Sequence, residues 1–96
     1  MEFTWEEGKN RANRRKHGIS FEEARELFAS GADYLELYDM AHSDLEERFI
    51  AIGPVRRGLI LVVWTEREEA TIRIISARYA TPREQTIYHS YMDKRP

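Results

Sequence analysis

Two arginine-bearing segments of this chain have the residue types for phosphate chemistry. They are Thr65-Glu66-Arg67 and, across a short polar turn, Arg73-Ile74-Ile75-Ser76-Ala77-Arg78. Arginine is costly to hold on strands that flank a core, so three of them in so short a span ask for a reason. A guanidinium is planar, forked and permanently charged, which matches two oxygens of a phosphate. The plainer reading is that these residues end apolar strands and protect a sheet edge. If residues 71–79 run as a regular strand, alternation puts Arg78 on the face of Ile72 and Ile74 and Arg73 on the other. The two then do not easily share one site. Arg78, near the strand end, is the better placed to meet a phosphate, and Arg67 sits just past the end of the most apolar strand. Arg73 is left with a structural role, pairing an acid of the 66–69 turn.

Proton transfer calls for a different group. Histidine is the default, because an unperturbed imidazole titrates near about 6.5 and serves as acid or base. Of the three histidines, His42 lies in a polar loop, Asp39-Met40-Ala41-His42-Ser43-Asp44, where the alternative is a merely exposed side chain. His17 falls at a helix C-terminus, where capping or packing explains it. His89 faces out beyond the last apolar turn. Arg48 has two roles open to it, pairing an acid or facing a phosphate. Lys9, Arg11, Arg14, Arg15 and Lys16 form either a solvated helix face or a phosphate-backbone contact whose binding falls with salt. Trp64 and Tyr79 suit core packing, with base stacking as the other use of an aromatic near a strand end. The acids sit in helix caps or in one acidic segment, with no ligand spacing for a metal, and none is expected.

The elements that must position these groups follow from the pattern. At 96 residues the chain makes one domain, near the lower end of what builds its own core. It has no cysteine, which excludes disulfides and thiolate chemistry and fits a reducing cytoplasm. The first residues lack the charge and apolar run of a signal peptide, and the longest apolar run, Leu59 to Trp64, is too short to cross a membrane. The net charge of −2 conceals an asymmetry: residues 19–47 hold nine acids and one base, the remainder eight acids and fourteen bases. That predicts two surfaces with different partners, unless the charges mix in three dimensions.

Phe3 and Trp5 alternate as a short edge strand. Residues 7–17 form a very polar helix that ends before Gly18, a good left-handed cap. Ser20 and Glu23 make a capping box for a second helix, which carries Phe21, Ala24, Leu27 and Phe28 and stops at Gly31. Strands follow at 34–38, 48–52, 59–65 and 71–79, with Gly53–Gly58 as a hairpin connection. Thr81-Pro82-Arg83-Glu84 caps a last helix that presents Ile87, Tyr88 and Tyr91 to the core. The class is α+β: two N-terminal helices and a C-terminal helix packed on an antiparallel sheet of about four strands.

Taken together, Phe3-x-Trp5, the block Lys16-His17-Gly18-Ile19-Ser20-Phe21-Glu22-Glu23-Ala24, His42, Glu47-Arg48, Gly53, Val63-x-Thr65-Glu66-Arg67, the block Arg73-Ile74-Ile75-Ser76-Ala77-Arg78-x-Ala80, Glu84 and Tyr88 resemble the BrnT family of toxins. The resemblance runs from Phe3 to Tyr88. It implies a RelE-like fold and metal-independent endoribonuclease activity that arrests growth. It also implies a BrnA-like antitoxin with a DNA-binding domain, a complex of two toxins and two antitoxins, and contact with operator DNA only through the antitoxin. Neither a membrane nor a cofactor is expected. Metal-free RNA cleavage needs a deprotonated 2′-hydroxyl, stabilised charge on phosphorus oxygens and a protonated leaving oxygen. Arg67, Arg78 and His42 are then the expected catalytic residues, and Lys16, Arg48, Trp64 and Tyr88 the expected substrate contacts. The other function open to the sequence is a binding module with weak catalysis, acting mainly in a complex that represses its own operon.

Overall fold

The computed structural model describes residues 1–68 and 70–94. Its elements, in chain order, are β1 (Glu2–Thr4), α1 (Glu7–His17), α2 (Phe21–Ala29), β2 (Leu35–Tyr38), a 3-10 turn (Met40–His42), β3 (Phe49–Val55), β4 (Gly58–Arg67), β5 (Thr71–Tyr79) and α3 (Pro82–Asp93). The class is α+β, as expected, but the sheet is five-stranded and mixed. Its order is β1-β5-β4-β3-β2. The antiparallel hairpins account for four strands; β1 adds a fifth by pairing parallel to β5, Phe3 opposite Ile72. Sequence alternation signals a strand but not its direction, so the parallel pair was not foreseeable from periodicity.

Helices α1 and α2 cover one face of the sheet and α3 part of the other. Phe21, Leu27, Ile60, Val62 and Ile74 bury the first face, each at most 1% exposed. Leu35, Ile52, Leu61 and Ala80 make the smaller second core, against which Tyr88 packs. Of the three α3 residues expected inside, only Tyr88 packs there; Ile87 and Tyr91 stay 44% exposed. The helix lies mainly over the β2–β3 side of the sheet, with Glu84 reaching Arg78 of β5, so one row of side chains suffices to dock it. Both capping boxes form: Ser20 Oγ accepts from Glu23 N–H, and Thr81 Oγ1 from Glu84 N–H.

The β3–β4 connection is shorter than Gly53–Gly58. Strand β3 runs on to Val55, and Arg56-Arg57 alone turns the chain to Gly58. Gly53 sits inside the strand because a Cβ there would stand 2.7 Å from Tyr34 Cβ.

Two buried asparagines explain how so polar a helix as α1 docks. Asn10 Oδ1 accepts from Phe21 N–H at 2.8 Å and its amide donates to Glu22 at 2.8 Å, joining α1 to α2. Asn13 Oδ1 accepts from Ala77 N–H at 3.1 Å while Nδ2 donates to Ala77 C=O at 2.8 Å and to Ile19 C=O at 2.9 Å. Its carboxamide thus stands in for a neighbouring strand where β1 has stopped, satisfying a backbone edge that burial would otherwise strand.

Candidate functional site

The site depends on a defect in the β4–β5 ladder. Val63 pairs with Ser76, but Trp64 pairs with Ile74, so Ile75 is an extra residue on β5. A bulge of this kind interrupts alternation. Ile74 and Ala77 both face the larger core, and Ile75, Ser76 and Arg78 all line the opposite face. The expectation that Arg78 shares the face of Ile72 and Ile74 is thereby overturned. Arg78 lies on the same face as Arg73, the face that α3 only partly covers. Arg73 has no ion pair among the described residues; a pairing with Glu69 lies outside them.

On this half-open face a cleft of about 380 Å³ gathers Asp39, His42, Arg48, Ser76, Arg78 and Glu84 over a floor of Ile50, Leu61, Val63 and Ile75. His42 reaches it from the loop after β2, with its Nδ1 3.1 Å from Asp39 Oδ2 and 3.2 Å from Oδ1. The imidazole is 68% exposed and the Asp39 side chain 11%. Arg48, just before β3, makes one long bond to Glu46, Nη2 to Oε2 at 3.4 Å. Its Nε–H is buried with no partner among the described residues.

Arg78 is held in a fork. Its Nη1 and Nη2 donate to the two Glu84 oxygens at 2.7 and 2.9 Å. That bond, aided by Thr81 N–H and opposed by partial burial, holds the Glu84 carboxyl down at about 2, and it keeps Arg78 above its usual value. Glu84 therefore works twice, as the second half of the α3 capping box and as the clamp on Arg78. The sequence reading placed Glu84 only in the capping box. The signal for its second role was its position, six residues beyond Arg78 at the first turn of a helix that folds back over the sheet.

Arg67 is not in this cleft. It closes β4 opposite Thr71 and donates to Glu46 Oε1 at 3.2 Å. The hollow of about 430 Å³ beside it is lined by Glu46, Glu47 and Glu66 against that single arginine, a poor lining for a polyanion. Glu46, with one oxygen toward Arg48 and the other toward Arg67, separates the two hollows.

Three expected substrate contacts lie elsewhere. Trp64 is 7% exposed and stacked on Phe49 with centroids 4.8 Å apart, so it is core and has no face left for a base. Lys16 is on α1, which packs on the opposite side of the sheet. Tyr88 packs into the smaller core and its hydroxyl donates to Asp33 C=O at 3.3 Å, fastening α3 to the start of β2. Tyr79, read as a core aromatic, is 41% exposed beneath Arg57, whose guanidinium lies 5.9 Å from the ring centroid.

The domain is α+β and brings two arginines and a loop histidine together over one half-open sheet face. The chain belongs to the BrnT family, described as the ribonuclease toxin of type II toxin–antitoxin systems, whose model matches residues 5–84. It is similar to the crystal structure of the Brucella abortus ribonuclease toxin BrnT, with 28% identity over 84% of this chain and 97% of that one and a TM-score of 0.63. No curated protein matches the chain. Membership of a type II family implies an antitoxin as partner. No helix among the described residues is long and apolar enough to cross a membrane.

Proposed function

We propose that this protein is a metal-independent endoribonuclease on a RelE-like scaffold, and that it arrests growth until an antitoxin covers the cleft. The observation that carries this reading is the meeting of His42, Arg48 and Arg78 around one cleft on the half-open sheet face. The cleft's two carboxylates are already engaged, Asp39 by His42 and Glu84 by Arg78, which leaves arginine donors and a proton acceptor rather than a metal cage. A phosphodiester seated between Arg48 and Arg78 brings its 2′-hydroxyl to His42. Loss of that proton lets the 2′-oxygen attack phosphorus. The P–O5′ bond breaks, its electron pair goes to the 5′-oxygen, and that oxygen takes a proton from water. The products are a 2′,3′-cyclic phosphate and a 5′-hydroxyl.

The antitoxin is proposed to be BrnA-like, with a DNA-binding domain through which alone the complex touches operator DNA, and to assemble two to two with the toxin. Met40 and Leu45, 82% and 101% exposed on the loop that carries His42, favour a partner over the cleft mouth. The test is cleavage of RNA by the purified toxin with and without EDTA, with end-group analysis of the products. Cyclic-phosphate ends that persist in EDTA are expected. Cleavage abolished by chelation and restored by magnesium ends the metal-free reading. Intact RNA under all conditions leaves the repression-complex reading.

A further inference from the structure

Beyond Arg48, Arg78 and the imidazole, the cleft holds a carboxylate, Asp39, whose placement no packing need explains. Asp39 stands at the N-cap position of the 3-10 turn Met40–His42, where an aspartate ordinarily accepts from a free backbone N–H. Here the side chain makes no such bond. Both its oxygens approach His42 Nδ1 instead, at 3.1 and 3.2 Å. The backbone on either side of the carboxylate is fixed by other groups. Asp39 N–H donates to Arg48 C=O at 2.8 Å, which ties the end of β2 to the start of β3. Asp39 C=O accepts from the Ser43 hydroxyl and from His42 N–H, and Ser43 Oγ in turn accepts from Arg48 N–H at 3.0 Å. The loop is therefore tied at its two ends, with the carboxylate nearly enclosed and the imidazole in the cleft.

We propose that Asp39 is a positioning residue for RNA cleavage, holding His42 in the Nδ1–H tautomer so that the Nε2 lone pair faces the 2′-hydroxyl. The inference rests on the ribonuclease reading above. Its chemistry is elementary. An ionised carboxylate only accepts, so the nitrogen it approaches must carry the hydrogen, and the other nitrogen is left to take a proton. A neutral imidazole in water prefers the Nε2–H form, which has no lone pair at that atom. Without Asp39 the base would spend most of its time in the wrong tautomer and sweep freely from an exposed loop. Nothing in this role needs Asp39 to touch RNA or to change its own charge; the proton from the 2′-hydroxyl stops at Nε2 and leaves to water.

The test uses the full chain and three variants, Asp39→Asn, Asp39→Glu and His42→Ala, with ¹⁵N-labelled histidine to read the tautomer directly. The wild type should show a protonated Nδ1 and an unprotonated Nε2 at neutral imidazole. Asp39→Asn, which offers an amide N–H as readily as an acceptor, should move His42 toward the Nε2–H form. It should lower kcat by roughly tenfold to a hundredfold with KM nearly unchanged, less than a buried triad loses because this imidazole is exposed. Asp39→Glu should regain part of both the tautomer and the rate, which a purely structural role of the carboxylate would not produce. A wild-type Nε2–H imidazole, or an Asp39→Asn enzyme with full kcat, overturns the proposal. Cleavage by His42→Ala equal to wild type removes the ribonuclease reading of His42 and the inference with it. Cleavage lost in His42→Ala but intact in Asp39→Asn overturns the inference alone.

Discussion

A single ion pair, Arg78 with Glu84, bears on stability and, under the proposed function, on chemistry, and the two effects separate by experiment. Arg78→Ala removes a phosphate donor and leaves Glu84 partly enclosed without its partner. Cleavage should fall roughly a hundredfold, as for loss of one preorganised charge-stabilising donor, and stability by about 1–2 kcal/mol, the full shift being discounted because the arginine is partly in water. Glu84→Gln should keep most of the rate, since the guanidinium remains. Its stability penalty should depend on pH in a defined direction. A carboxyl lowered from 4.5 to about 2 contributes stability that is full above 4.5 and lost as pH falls through about 2. Denaturation curves of Glu84→Gln and wild type should therefore differ at neutral pH and converge under strong acid. A constant gap across that window would place the effect in packing. Arg67→Ala, lying outside the cleft beside Glu46, should cost less activity than Arg78→Ala; a loss as large would move the working site to the β4 end.

Among the elements, α1 depends on a few polar contacts. Asn13→Ala leaves Ala77 N–H and C=O and Ile19 C=O without partners in a buried setting. At about 1–3 kcal/mol for an orphaned group, relieved in part by water entry, the variant should lose roughly 2–4 kcal/mol in urea denaturation. That is more than any exposed substitution on the same helix should cost. Arg15→Glu is the comparison: it is exposed on the helix face away from the sheet and should change stability and cleavage of a short RNA little. In β5 the bulge at Ile75 is the element-scale device, because it alone turns Arg78 toward the cleft while Ala77 stays in the core.

At the scale of the whole molecule the charge asymmetry is partly cancelled by folding. The acidic middle segment meets the basic remainder through Glu23 with Arg57 and through Glu46 with Arg48 and Arg67. Two arginine-bearing surfaces remain, the cleft and the outward face of α1, and the sheet stands between them. A single antitoxin strand laid in the cleft does not reach Lys9 to Lys16 without wrapping an edge. RNA binding through the three cleft-face arginines, Arg48, Arg73 and Arg78, should then show a log–log salt slope of roughly −2, from about 0.7 per phosphate for single strands. Antitoxin association should slow as salt rises and the screening length falls from about 10 Å at 0.1 M to about 3 Å at 1 M. Stopped-flow rates across a salt series measure this. A salt-insensitive rate, with a complex that still cleaves RNA, would place the inhibitory contact away from the cleft.

Local signals in the sequence were enough for the α+β class, both capping boxes, the cap at Gly18, the strand that follows Arg48 and the strand bearing Arg78, because caps and apolar periodicity act over a few residues. The blocks around Lys16–Ala24 and Arg73–Ala80 also carried the family. Tertiary structure alone decided which side chains meet. The parallel partner of β1 and the extra residue at Ile75 depend on pairing between distant segments, and one inserted residue inverts every side chain beyond it. That inversion moved Arg78 into the cleft with Arg48. Burial withdrew Trp64, the opposite face withdrew Lys16, and the fold of α3 supplied Glu84. The pairing of Asp39 with His42 lay three residues apart in plain view, but only the folded loop shows that the carboxylate makes no other side-chain hydrogen bond among the described residues.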